Sequence, residues 1–306
     1  MKSTVHLFLY IFILISSVAQ RATAQETLGE QLRQVIQGKA ATVGVAVIFN
    51  GSELVSVNNM YRYPMMSTYK FHQALSVVDY LHKHDKNLAT EILVKKSDLL
   101  ANTHSPLRDA NPNGNFQITV GDLLKYSLIE SDNNACDILF KYIGGPLVTE
   151  KYIHGLGIKD VAISQTEAKM MESEDNCMLN WTKPSAAVLL LETFLQNQMF
   201  SKNEVLFLER AMADCKTGNN KLKAGLPKQV LFAHKTGSSG RNEFGYKVAD
   251  NDMGFVVFPN GQYYTIAVFI MNSRETDQEN AKIMADISRT VYEYFVNNYH
   301  CLLYTS

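Results

Sequence analysis

The sequence predicts an α/β protein of the α+β kind: a five-stranded antiparallel sheet flanked by the terminal helices, with an all-helical lobe inserted between its strands. Three observations predict it. Two β-rich stretches near the start are joined by the hairpin dipeptide Asn50-Gly51. Three more lie near the end, the last two joined by Pro259-Asn260-Gly261. Between the two groups apolar residues recur at helical spacing, and an amphipathic stretch borders each end. A cleft is expected at the seam of lobe and sheet.

In chain order, Leu28 to Ile36 has helical apolar spacing. Thr42 to Phe49 is β-branched and apolar, and Leu54 to Val57 returns as its hairpin partner. A helix then follows Ser67, with Ala74, Leu75, Val78 and Leu81 on one side. Thr119 caps a helix carrying Val120, Leu123, Leu124 and Leu128. The next runs from about Asn134 to a stop at Gly144-Gly145. Thr182 and Pro184 open another that ends near Gln196, and Glu204 to Met212 adds one more. The closing strands are expected at Gln229 to Thr236, Met253 to Phe258 and Tyr263 to Met271, before a long helix from about Asp277 to Asn297. These elements divide the chain into a discontinuous α/β lobe, residues 25–61 and 213–300, and a helical lobe, residues 62–212.

The ends stand apart. Lys2, the apolar run Val5 to Val18 and the small-residue site Ala22-Thr23-Ala24 make residues 1–24 a signal peptide cleaved after Ala24. The mature chain is then expected to be exported, periplasmic or secreted, with no membrane attachment. Residues 301–306 follow the last helical pattern without one of their own and read as an unstructured tail. A formal net charge of -1 gives no global attraction to nucleic acid or anionic membrane. Four cysteines, Cys136, Cys177, Cys215 and Cys301, contain no C-x-x-C pair, which argues against a thiolate zinc site. Their even number permits a disulfide without saying which would pair. His82 and His84 are two apart and diverge on a helix, so no metal site is expected from them.

The chemistry starts at Ser67 and Lys70. Residues three apart on a helix share a face, and a serine is a weak nucleophile until a neighbouring base takes its proton. The free N–H groups of the helix start suit an oxyanion. Taken alone, Ser67 reads as an N-cap and Lys70 as a solvated charge, since a chain of this length holds roughly one S-x-x-K by chance. Ser131-Asp132-Asn133, in a tight connection between helices, offers a second hydroxyl and an amide, although all three are also turn and capping residues. Lys-Thr-Gly occurs twice. The copy Lys235-Thr236-Gly237 ends an apolar strand and precedes Ser238, and is read as functional. The copy Lys216-Thr217-Gly218 enters a polar loop and is read as incidental. The polar stretch Gln165 to Asn180 is long for a structureless connector and holds Glu167, a candidate base acting through water or one more surface acid.

S-x-x-K, S-D-N and K-T-G in this order resemble the class A serine β-lactamases, over nearly the whole mature chain. Thr166-Glu167-Ala168-Lys169-Met170 and Asn180-Trp181-Thr182 are most similar to the extended-spectrum, cephalosporinase branch of Bacteroidetes. The resemblance implies a β-lactamase/transpeptidase-like fold, a serine hydrolase that confers antibiotic resistance, and no cofactor or metal. It implies that Ser67 attacks the lactam carbonyl to form an acyl-enzyme. Lys70 would be the adjacent base or relay, Glu167 the water activator, and Ser131 the donor to the lactam nitrogen. The N–H groups of Ser67 and Ser238 would bind the oxyanion. Asn133 would hold the substrate amide, Lys235, Thr236 and Gly237 its carboxylate end, Lys221 would stand in for an arginine there, and His104 for a wall aromatic. The position four after Glu167, an asparagine in most relatives, is Met171. The partner is then a small β-lactam, the protein a monomer, and the alternative a penicillin-binding D-Ala-D-Ala carboxypeptidase or transpeptidase with slow deacylation.

Overall fold

The computed structural model describes residues 26–196 and 199–299. The expected signal peptide, its cleavage point, the tail and Cys301 lie outside them. Helices occupy α1 (Leu28–Ile36), α2 (Tyr69–Lys83), α3 (Pro106–Ala110), α4 (Val120–Ile129), α5 (Asn133–Ile143) and α6 (Pro146–Gly155). They continue with α7 (Glu167–Met170), α8 (Glu174–Met178), α9 (Pro184–Gln196), α10 (Lys202–Ala213) and α11 (Asp277–Tyr299). The strands are β1 (Thr42–Phe49), β2 (Glu53–Val57), β3 (Tyr63–Pro64), β4 (Glu91–Val94) and β5 (Phe116–Thr119), then β6 (Val161–Ala162), β7 (Trp181–Thr182), β8 (Phe232–Ser238), β9 (Lys247–Val257) and β10 (Tyr263–Ser273).

Five strands form the expected antiparallel sheet in the order β2-β1-β10-β9-β8. Alternation along β1 explains its two-sided burial. Val43, Val45, Val47 and Phe49 pack with α1 and α11, where Phe49 stacks on Phe295 at 4.4 Å. Ala46 and Ile48 face the second core, which holds the helices from α2 to α10. A capping box at Thr27 and Glu30 starts α1, and Gly144, at φ 100°, ends α5.

Several expectations change for physical reasons. The helix α2 is buried all round from Tyr69 to Val78, including Lys70, His72, Gln73 and Ser76, because it runs through the middle of the helical side. Its His72 is a neutral imidazole, burial holding its pKa down at about 3. The strand before Lys235 starts at Phe232, not Gln229, since Val230 N–H closes a turn onto Pro227 O at 3.0 Å. β9 begins at Lys247, well before Met253, because its polar half is buried in pairs: Lys247 with Asp277, Asp250 with Lys221, Asp252 with His234. Pro146, at the first turn of α6, restarts a helix where Gly144-Gly145 reads as a stop. The stretch 165–180 is not structureless; it contains α7 and α8. Among the described residues, no helix is long and apolar enough to cross a membrane, and Cys136, Cys177 and Cys215 are free thiols.

Candidate active site

The turn that presents Ser67 is held from three sides. Met65 N–H donates to Asn180 O at 2.8 Å, tying the turn to the end of the 165–180 segment. Asn251 Nδ2, on β9, donates to Pro64 O at 2.8 Å and Met65 O at 3.0 Å. Gly237 of β8 lies so close that a Cβ there would meet Met65 O at 2.5 Å and Ser67 N at 2.9 Å. The glycine at 237 is therefore required by close approach of two backbones. Met66 sits at φ 46°, a conformation costly for a non-glycine residue and kept by these surrounding contacts. Ser67 follows in a short 3-10 turn that leads directly into α2.

Lys70, one turn into α2, is wholly buried and its ammonium meets three oxygens. These are Ser131 O at 2.8 Å, Asn133 Oδ1 at 2.6 Å and Glu167 Oε1 at 3.0 Å. A lysine ammonium has three N–H donors, so this set uses all of them. The Ser67 hydroxyl donates to the same carboxylate oxygen, Glu167 Oε1, at 3.3 Å. The spacing of Ser67 and Lys70 does bring them to one place, but the atom they share belongs to Glu167.

Ser131 adopts φ 58°, which turns its carbonyl towards Lys70 and its hydroxyl towards Lys235, whose Nζ donates to Ser131 Oγ at 2.9 Å. Asp132 builds this turn. Its buried carboxylate accepts from Leu107 N at 2.7 Å, Ala135 N at 2.8 Å and Ser105 Oγ at 3.0 Å. Burial raises its pKa, against the pull of those bonds. Asn133 spends one amide hydrogen on Thr103 Oγ1 at 2.7 Å and keeps one for a ligand. His104 is exposed at the same turn, its Nε2–H donating to Glu130 O at 2.8 Å.

Glu167 is positioned by a residue that the sequence reading missed. Asp137, one turn beyond Asn133 on α5, accepts from Glu167 N at 2.8 Å and Ala168 N at 2.9 Å, fixing the start of α7. Burial pushes its pKa up to about 6, with the two N–H bonds acting the other way. Its place one helical turn from Asn133 was the available signal. Asn180 closes the segment, accepting from Ser164 N at 2.8 Å and Gln165 N at 2.9 Å. Met171 is half exposed, while Met170 is buried against Asn180.

Two residues of the Lys-Thr-Gly region depart from expectation. Thr217, in the copy read as incidental, hydrogen-bonds the Thr236 hydroxyl, so the second copy adjoins the first. Lys221 directs its Nζ to Asp250 Oδ1 at 2.6 Å and Asn251 O at 3.3 Å. Among the described residues, no group of three or more His, Cys, Asp and Glu could hold a metal ion.

The arrangement unites a hydroxyl, a fully engaged ammonium, a buried carboxylate and a second hydroxyl beside a second lysine, as nucleophilic acyl transfer needs. The family described as "Beta-lactamase enzyme family" matches residues 27–295. The chain belongs to the β-lactamase enzyme family. A β-lactamase of Bacteroides uniformis is 43% identical over 96% of this chain and 99% of its own. Among solved structures, a class A β-lactamase from Bacteroides cellulosilyticus is 45% identical, covering 89% of this chain and 98% of that one, with a TM-score of 0.86. The TLA-3 extended-spectrum β-lactamase is 41% identical, covering 88% and 98%, also at 0.86. This β-lactamase is of class A and of the Bacteroidetes type, its activity is hydrolysis of β-lactams, and that activity confers antibiotic resistance. The penicillin-binding alternative gains no support from these relatives.

In this β-lactamase Lys235 is buried, and burial lowers its pKa to about 8. A lysine with a depressed folded pKa costs stability while charged. That cost is present below pH 8 and is relieved as pH rises from about 8 towards 10.5. Anion binding has the opposite slope, because the neutral amine loses its attraction. If Lys235 meets the substrate carboxylate, KM for a carboxylate-bearing substrate is expected to rise about fivefold between pH 8 and 9, as the charged fraction falls from about one half to one eleventh. A KM that stays flat across that interval would return Lys235 to an ordinary amine.

Proposed function

We propose that Ser67 opens the β-lactam ring by forming an acyl-enzyme, with Glu167 as the base in both halves of the reaction. The observation that supports it best is the convergence of Ser67 Oγ and Lys70 Nζ on Glu167 Oε1, at 3.3 and 3.0 Å. An amine whose three hydrogens are all donated has no lone pair to offer, so Lys70 acts as an ammonium that orients Glu167 and stabilises charge. In acylation the Ser67 proton passes to Glu167 as Oγ bonds the lactam carbonyl carbon. The carbonyl oxygen becomes an oxyanion between the N–H groups of Ser67 and Ser238, a reading supported by the close backbone approach at Gly237. The C–N bond then breaks, and Ser131, bonded to Lys235, hands its proton to the departing nitrogen. The proton held by Glu167 returns to Ser131 by way of Lys70, which lies between them, so that Glu167 is a carboxylate again. In deacylation the regenerated Glu167 carboxylate takes a proton from water as the water oxygen attacks the ester carbon, and that proton goes to Ser67 Oγ as the C–O bond breaks and the acid leaves.

Binding falls to the rim. The free N–H of Asn133 takes the amide of the substrate side chain, and exposed His104 borders it. Lys235 and Thr236 take the ring carboxylate, with Gly237 bringing their strand close against the Ser67 turn. Likeness to an extended-spectrum enzyme supports cephalosporins, oxyimino compounds included, as favoured substrates. Export through a signal peptide at residues 1–24, a monomeric mature chain free of membrane and nucleic acid, and division into lobes at 61/62 and 212/213 complete the proposal. The test is a long time course with a chromogenic cephalosporin in large excess over the mature protein. Sustained turnover is expected. One equivalent of product followed by silence would replace the hydrolase by a penicillin-binding protein.

A further inference from the structure

Side chains alternate along β8, so Thr236 and Ser238 face away from Lys235. The cross-strand partner of Ser238 is Asp250, which therefore shares the face of these two hydroxyls. Lys221 reaches the same face from the turn it closes onto Gly218 O at 2.9 Å, and its Cδ and the Thr236 Cγ2 would both crowd a Cβ placed on Gly218, at 3.1 and 2.5 Å. A cation thus lies near Thr236, whose hydroxyl is read as meeting the substrate carboxylate, and it is already engaged. Its ion pair with Asp250 is 2.6 Å long, with side-chain exposures of 10% and 3%.

We propose that Asp250 is a specificity-determining residue, a latch that holds the Lys221 ammonium away from the substrate's ring carboxylate. The inference rests on the reading of Lys235 and Thr236 as the carboxylate subsite. With the latch closed, the carboxylate is recognised by one lysine and by hydroxyls, Thr217 supporting Thr236. The negative charge of Asp250 borders the subsite, offset by Lys221. The enzyme therefore discriminates less between an anionic substrate and one whose carboxylate is masked than it would with a free cation there. Removing the Asp250 charge without changing its shape releases Lys221 to the anion.

The experiment compares kcat/KM for a chromogenic cephalosporin and for its C4 methyl ester, as the ratio of the two. Asp250→Asn is expected to raise the ratio about threefold or more, through KM of the acid and not through kcat. In the double variant Lys221→Met with Asp250→Asn the gain should vanish, because no cation remains to be released. A gain that survives in the double variant, or an unchanged ratio in Asp250→Asn, overturns the latch. Thr236→Val reports on the underlying reading: if it leaves the ratio unaltered, the carboxylate subsite itself is misplaced. If Asp250→Asn fails to fold, as judged by thermal melting, Lys221→Arg serves instead. A guanidinium has donors enough to keep Asp250 and still meet the anion, so the ratio should again rise; an unchanged ratio overturns the proposal.

Discussion

Glu167→Ala is expected to convert the enzyme into one that acylates and stops. Hydrolysis in the steady state should fall about 10²- to 10⁴-fold, the range of a single general base. Mass spectrometry should find the protein carrying one equivalent of opened substrate. The geometry explains why the two half-reactions respond unequally. In acylation the nucleophile is a side chain fixed by its own backbone, and Lys70, three residues on, stays in place beside it when the Glu167 carboxylate is removed. In deacylation the nucleophile is a water, and Glu167 is the carboxylate that faces Ser67. Asp137 should still hold Ala168 N in this variant, so the loss belongs to the carboxylate and not to a displaced α7. An acyl-enzyme that fails to accumulate while turnover falls would assign Glu167 to acylation alone.

Much of this could be read before any coordinates. The strands at Thr42 to Phe49 and Tyr263 to Met271 are legible because they are apolar on both faces, and burial on both faces is what they do. The start of β9 is not legible. Lys247, Asp250, Asn251 and Asp252 carry the marks of a solvated loop, and they are buried because their partners come from residues 277, 221, 64 and 65, and 234. The same division runs through the site. Ser67 and Lys70 are linked by local spacing, and the residues at 131 and 235 by short motifs. Asp137, Thr217, Asn251 and Asp250 act through contacts across the chain, which no local pattern records. Glu167 lies between these cases. Its polar surroundings make it one acid among several, and the Asp137 grip on α7, its burial and its contacts with Ser67 and Lys70 separate it from Glu172 and Glu174.

Ser67→Ala is expected to abolish covalent turnover, with kcat reduced by at least about 10⁴-fold and no substrate adduct detectable by mass spectrometry. Substrate should still bind, since the proposed contacts of Asn133, Lys235 and Thr236 do not involve the lost hydroxyl, and a dissociation constant within a few-fold of the parent KM would show it. The variant also isolates what Glu167 can do alone. With Oγ gone, Glu167 Oε1 keeps its ion pair to Lys70, and a water occupying the vacated space would stand beside a competent base. Such a water lacks the proximity that a fixed side chain supplies, and that proximity accounts for much of the barrier reduction in enzymes of this type. Only a trace of hydrolysis should therefore survive. Turnover within tenfold of the parent enzyme would mean that Glu167 delivers water directly to the lactam, and the acyl-enzyme on Ser67 would have to be abandoned.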